Sequence, residues 1–418
     1  MQKGMKGSGK GARKSRTQSQ IQSWVQSRAQ SQVENRTQSQ VQSRVEGRTQ
    51  SQMRGRIKGC GLSVLLTAAL LLGGCGRPQL PPSQTAGSSD QTQTTPPQTG
   101  NGSGLGPVRL PQDPISDTAF LLDTFVVITI YDSQDQALLE GSLELCRRYE
   151  EQLSRTIATS EIARLNNRSA GTERMAVSDS TARLIEEGLA YSRLSGGAFD
   201  ITIEPVSSMW DFTSGEKELP DPDRLARAVE TVGYENLSVE GEEICFASPD
   251  TRIELGAIAK GYIADKIKDY LLEQGVKSAL INLGGNVLCI GEKPDGLPFK
   301  VGLQKPFKDR NETIAVLNIR DRSVVTSGVY ERCFEKDGVN YHHILDPKTG
   351  YPYDNGLLSV TIVSPRSVDG DGLSTACFSL GLKEGIALLD TMPEVCGYFI
   401  TEDYKVHYSE GAKELLQP

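Results

Sequence analysis

Only one sustained apolar run, Leu62 to Leu72, interrupts the first 114 residues of this 418-residue chain. Any core large enough to hold a globular fold must therefore come from residue 115 onward. Residues 1–60 carry thirteen Lys/Arg against two Asp/Glu and repeat TQSQ at 17, 37 and 49. Such a composition reads as basic, low-complexity and disordered. Residues 1–52 are then either a dispensable tail or sequence ahead of a true start at Met53. The GxxxxGK at Gly4 to Lys10 lacks both a preceding strand and the hydroxyl residue that would hold magnesium, so it is no phosphate loop. Residues 76–114 are rich in Pro, Gln, Thr, Ser and Gly and read as a flexible stalk.

Residues 53–74 have the layout of a signal peptide, with Arg54, Arg56 and Lys58 ahead of an apolar run too short to span a bilayer permanently. The run ends in Leu72-Gly73-Gly74-Cys75, which resembles the lipobox of bacterial lipoproteins. That resemblance implies a diacylglyceryl group on Cys75, cleavage ahead of it, and a chain held by lipid on the extracytoplasmic face of the cell membrane. Two acyl chains at ~0.8 kcal/mol per buried methylene form an effectively permanent tether.

From residue 61 onward 32 Lys/Arg face 51 Asp/Glu, so the exported part is acidic and nucleic acid is not an expected partner. Beyond Cys60 and Cys75 the cysteines are Cys146, Cys245, Cys289, Cys333, Cys377 and Cys396, with no CxxC pair. Neither a thiolate zinc site nor a redox dithiol is indicated, and free buried thiols are the expected state.

Periodicity over 115–418 predicts an α+β fold. Strands are expected at Ala119 to Tyr131, Ala198 to Ile203, Arg252 to Leu255, Ala279 to Asn282, Val287 to Ile290, Val324 to Ser327 and Leu358 to Val363. Helices are expected at Ala137 to Leu153, Thr181 to Leu194 and about Ile258 to Gln274, with a last one from near Gly372. In ELGAIAKGYIAD, Lys260 falls in the first turn of a helix, where free N–H groups favour an anion; read alone, the stretch is more simply an amphipathic helix with an exposed lysine. INLGGNV places paired glycines between strands, either as a tight turn or as room for a ligand. Asp200 in SGGAFDITIEP is a polar strand or turn residue. In VDGDGLSTACFSL, Asp371, Ser374 and Thr375 share one helix face at i, i+3 and i+4, either as caps or as hard oxygens suited to magnesium. YHHILDPKTGYP reads as a hairpin, and strand alternation lets at most one of His342 and His343 face a given site.

Taken in order, SGGAFDITIEP, ELGAIAKGYIAD, INLGGN, TSGVYER, YHHILDPKTGYP and DGDGLSTA resemble the ApbE family of flavin transferases, from about Phe120 to the end. The resemblance implies an ApbE-like mixed-sheet α+β fold and transfer of FMN from FAD to a threonine hydroxyl of a target protein, with release of AMP. It implies FAD contacts at Leu122, Ala198, Phe199, Asp200, Glu254, Lys260 and Ile344. It also implies magnesium held by the backbone oxygen of Ala257 with Asp371, Ser374 and Thr375, and His343 or Asp371 as the base. Relatives modify membrane-associated electron-transfer flavoproteins, the acceptor class expected here. Departures from the usual motifs are Leu122-Asp123-Thr124 for Met-Gly-Thr, Glu254 for Asp, Val329 for the Asp of SGDYER, and Thr156 for a tyrosine. The other readings are an FAD pyrophosphatase using water as acceptor and a non-catalytic flavin-binding lipoprotein.

Replacing Cys75 by alanine is expected to move the protein from the membrane to the soluble fraction while leaving its FAD chemistry intact. Fractionation followed by assay of the released protein checks both halves.

Overall fold

A computed structural model gives the fold of residues 113–309 and 312–417. The expected tail, signal peptide, Cys75 and nearly all of the stalk lie outside the described residues. Among the described residues no helix is long and apolar enough to cross a membrane. In chain order come β1 (Ile115–Leu121), β2 (Thr124–Ile130), α1 (Gln136–Leu153), α2 (Glu161–Asn166), β3 (Arg174–Ala176), α3 (Asp179–Leu194), α4 (Glu204–Ser207) and α5 (Pro222–Val229). Then follow β4 (Leu237–Glu240), β5 (Glu243–Phe246), α6 (Ala259–Glu273), β6 (Ala279–Leu283), β7 (Asn286–Ile290), β8 (Phe299–Gln304), β9 (Thr313–Ile319) and β10 (Ser323–Gly328). The last part holds β11 (Cys333–Lys336), β12 (Val339–His342), β13 (Leu357–Ser364), α7 (Ser367–Leu380), α8 (Leu382–Leu389), β14 (Cys396–Thr401) and β15 (Val406–Tyr408).

One eight-stranded sheet, ordered β1-β2-β6-β7-β10-β13-β14-β15, organises the described residues. The class is α+β, and every recorded strand pair runs antiparallel. Alternation along β2 and β6 sends Val126, Ile128, Ile130, Ala279, Ile281 and Leu283 into the main core, where residues of α1, α6 and α7 meet them. Phe299, Leu303, Leu317 and Ile319 of the β8–β9 hairpin cover Val324, Val363 and Tyr398 in a second cluster. All six described cysteines are free, and Cys146, Cys289, Cys377 and Cys396 are buried.

Four expectations need correction. Residues 119–131 are not one strand but the hairpin β1–β2, turned at Leu122 and Asp123 with φ of 56° and 55°. Leucine is uncommon in this left-handed region, and its N–H is tied to Glu150 Oε1 at 2.7 Å. Ala198 to Ile203 forms bends and turns, because Asp200 accepts from Thr202 N and Tyr234 N instead of leaving the segment to a ladder. Arg252 to Leu255 joins no sheet: Asn166 donates to Ile253 O (2.8 Å) and accepts from Ile253 N (2.7 Å), taking a strand's place with a side-chain amide. The last long helix starts at Ser367 rather than near Gly372, since Asp265 of α6 accepts from Ser367 N (2.7 Å) and Val368 N (3.0 Å). A cap supplied from another helix has no local signature.

The other helices and strands stand within two residues of their expected ends, and the DPKTG hairpin forms, closed by a Leu345–Pro352 bridge. The β6–β7 turn uses Gly284 and Gly285 at φ of 63° and 97°. A Cβ at Gly284 would collide with the Thr124 side chain, so this turn also needs room.

Helix α6 crosses α7 at Gly261, where a Cβ would collide with the backbone of Ser367 and lie 2.7 Å from Val368 Cα. Gly261→Ala must push the two helices apart. A loss of about 1–3 kcal/mol of stability, typical of overpacking, is expected in urea denaturation.

Candidate active site

The α6–α7 crossing gathers most of the polar groups expected to act. Asp371, on the second turn of α7, is 5 % exposed. Its Oδ2 accepts from Gly261 N at 2.8 Å, and its Oδ1 lies 4.0 Å from Lys260 Nζ. A continuing helical ladder would send the Gly261 N–H back to Ala257 O; here it goes to Asp371, which leaves the Ala257 carbonyl open one turn away. Ser374 Oγ donates to Asp371 O at 3.0 Å and lies 2.8 Å from Ser327 Oγ, which is 3.0 Å from Thr375 Oγ1. Asp371, Ser374 and Thr375 thus share one patch of α7, with Asp371 capping α6 rather than its own helix and the Ala257 carbonyl one helical turn before Gly261.

Burial pushes the Asp371 pKa up, while Lys260 and the Gly261 N–H pull it back. Asn286 faces the same carboxylate, its Oδ1 engaged by Ser367 Oγ at 2.6 Å and its buried Nδ2 without a partner in hydrogen-bond range. A desolvated carboxylate with one long ion pair leaves charge for a cation to neutralise. Among the described residues no three His, Cys, Asp or Glu gather as a metal cluster. The donors at Asp371 are instead one carboxylate, hydroxyls and a carbonyl, the hard-oxygen set that fits magnesium.

A second group surrounds Glu254. Arg155 Nε lies 3.5 Å from Glu254 Oε1 and its NH1 3.7 Å from Glu204 Oε1, while Ser207 Oγ donates to Glu254 Oε2. The side chains of Phe199 and Asp200 turn inward. Phe199 is 4 % exposed and meets the Tyr191 ring edge-on. Both Asp200 oxygens are spent, Oδ1 on Thr202 and Oδ2 on Tyr234 N. Ala198 O accepts from Tyr353 OH at 2.9 Å. What this segment offers a ligand is its backbone shape rather than the Asp200 charge. Leu122 is half-buried at its hairpin tip, and Ile344 is packed into the core.

Strand β12 ends at His342, and His343 lies in the bend that follows, so the expected alternation within one strand gives way to a strand end that parts the two rings. His342 is 4 % exposed; Nε2 meets Tyr353 O at 3.0 Å and Ile344 N donates to Nδ1 at 3.3 Å. A carbonyl can only accept, so Nε2 carries the proton and both nitrogens are occupied. His343 is exposed on one side, with Nδ1 3.3 Å from Arg332 O. The same reasoning puts its proton on Nδ1 and leaves the Nε2 lone pair free. Lost hydration on its inner side, then His342 and the charges of Arg332 and Lys260, lower the His343 pKa. Lys260 therefore acts on both the Asp371 and His343 groups. A cavity of about 400 Å³, lined in part by Phe212, Phe307, Cys333 and Phe334, opens beside β11, where Cys333 pairs with His342.

Sequence reasoning did not single out Ser327, Asn286, Arg155 or Ser207. The first two sit inside quoted motifs, but as strand-end polar residues they carry no periodic signal.

Burial lowers the His342 pKa from 6.5 to about 4. The unfolded chain therefore binds this proton at a higher pH than the fold does, so stability falls as pH drops from 6.5 toward 4, by up to about 3 kcal/mol. Urea denaturation across that window is expected to show the decline in the native chain and a shallower one in His342→Gln.

Residues 122–399 match the ApbE family model. The "FAD:protein FMN transferase" of Klebsiella pneumoniae (strain 342) is 39 % identical over 305 residues, covering 72 % of this chain and 94 % of that protein. The protein of the same name from Treponema pallidum (strain Nichols) is 35 % identical over 315 residues, covering 71 % and 87 %. Among solved structures, the flavin transferase ApbE of Vibrio cholerae superposes with a TM-score of 0.67 at 27 % identity, covering 73 % of this chain and 99 % of that one. The ApbE protein of Thermotoga maritima gives a TM-score of 0.67 at 30 % identity, covering 73 % and 100 %. With that match spanning most of the fold and every motif of the site, the chain belongs to the ApbE family.

Proposed function

We propose that this chain transfers the FMN moiety of FAD to a threonine hydroxyl of a target protein and releases AMP. The observation that carries the reading is the buried Asp371, held by Gly261 N–H and Lys260 at the α6–α7 crossing beside two hydroxyls and an open carbonyl. Ala257 O, Asp371, Ser374 and Thr375 would hold magnesium, which when bound supplies charge neutralisation at the pyrophosphate. Lys260, half-exposed beside Asp371, would attract the same phosphates. His343, with its Nε2 free, takes the proton of the acceptor hydroxyl as the new oxygen–phosphorus bond forms and the bond to AMP breaks. Glu254, steadied by Arg155 and Ser207, and the turns at Leu122 and Ala198–Asp200 with Ile344 would position FAD. The acceptor is a flavoprotein with a modifiable threonine, of the membrane-associated electron-transfer class, met where lipid on Cys75 holds this chain outside the cytoplasm.

The test is AMP release together with covalent flavin on an acceptor threonine. Asp371→Ala is expected to lose activity by orders of magnitude and Lys260→Ala to use FAD poorly. His343→Ala is expected to lose about 10²–10⁴-fold, whereas His342→Ala keeps far more activity. AMP release that the acceptor neither accelerates nor captures as flavin would favour the pyrophosphatase reading. Binding of FAD without AMP would leave a non-catalytic flavin-binding lipoprotein.

A further inference from the structure

We propose that Ser327, at the end of β10, is a positioning residue that aims the lone pairs of Ser374 and Thr375 at the cation; this rests on the magnesium reading above. Each hydroxyl has one proton to give and two lone pairs. Ser374 Oγ gives its proton to Asp371 O at 3.0 Å. Ser374 must then accept from Ser327 Oγ at 2.8 Å, so the Ser327 proton is spent as well. The contact of 3.0 Å between Ser327 Oγ and Thr375 Oγ1 can only be closed by the Thr375 proton. The protons run one way, from Thr375 through Ser327 and Ser374 to the backbone of α7.

Two lone pairs remain on Thr375 Oγ1 and one on Ser374 Oγ, with no proton left to face a cation. Without the Ser327 hydroxyl, Thr375 is free to turn its proton back to the carbonyl one helical turn earlier or toward the metal, and Ser374 loses the donor that fixes it. The neighbouring Thr326 cannot substitute, because its Oγ1 is paired with Thr361 Oγ1 at 2.8 Å on the adjacent strand.

The test uses Mn²⁺ as probe, with the free-ion electron paramagnetic resonance signal titrated on the purified chain without FAD. Ser327→Ala is expected to weaken Mn²⁺ binding by about 10–100-fold, the range for lost orienting partners of metal ligands, with the metal-free melting temperature little changed. Ser327→Thr, which keeps the hydroxyl, is expected to restore affinity. In the FAD reaction the alanine variant is expected to need more Mg²⁺ for half-saturation yet approach the native kcat when saturated. Native-like Mn²⁺ affinity in Ser327→Ala, or a loss that Ser327→Thr does not repair, would overturn the proposal and leave the magnesium reading standing. If the native chain itself binds no Mn²⁺ in a way that Asp371→Ala abolishes, the magnesium reading falls and takes this proposal with it.

Discussion

Two carboxylates cross between helices α6 and α7. Asp265 of α6 takes the first N–H groups of α7, and Asp371 of α7 takes the N–H of Gly261 near the start of α6. Each helix thereby supplies the other's missing cap, and the exchange works only because Gly261 lets the backbones approach. The crossing fixes where α7 starts, hence which face of it carries Asp371, Ser374 and Thr375. It also fixes Lys260, one residue before the contact, against the same carboxylate.

Burying a carboxylate between helices is costly unless its charge is met. Here the cost is only partly met within the chain, by one N–H, the Asn286 side chain facing it and a lysine at 4.0 Å. Stability alone would favour a closer ion pair or an apolar crossing. An incompletely compensated charge next to open oxygens is an arrangement that a bound cation would complete. Asp200 shows the contrast: equally inward, it has both oxygens satisfied by the turn it holds.

The two histidines divide along the same line. His342 is committed on both nitrogens and holds the hairpin to Tyr353; His343, one residue on, keeps one nitrogen free and exposed. Their different duties follow from the end of β12: His342 is its last paired residue and turns inward, and His343 sits in the bend beyond it and turns out.

The sequence by itself determined the elements with strong periods and the order of the motifs. Helices near 137–153, 181–194 and 258–274 and the strands near 279–282, 287–290, 324–327 and 358–363 follow from apolar spacing, since that spacing decides which face can be buried; the β8–β9 hairpin and β11 do not. The pairing of Asp371, Ser374 and Thr375 was legible too, because i, i+3 and i+4 meet on any helix wherever it begins. What tertiary structure alone decided were features whose partners lie far along the chain. The start of α7 depends on a carboxylate 102 residues away, the extended run at Ile253 on an amide 87 residues away, and the hydroxyl chain on Ser327, 47 residues from Ser374. Each is a polar contact that replaces a local hydrogen bond with a distant one. Local propensity carries no record of such an exchange, because only the folded chain brings the two partners within reach.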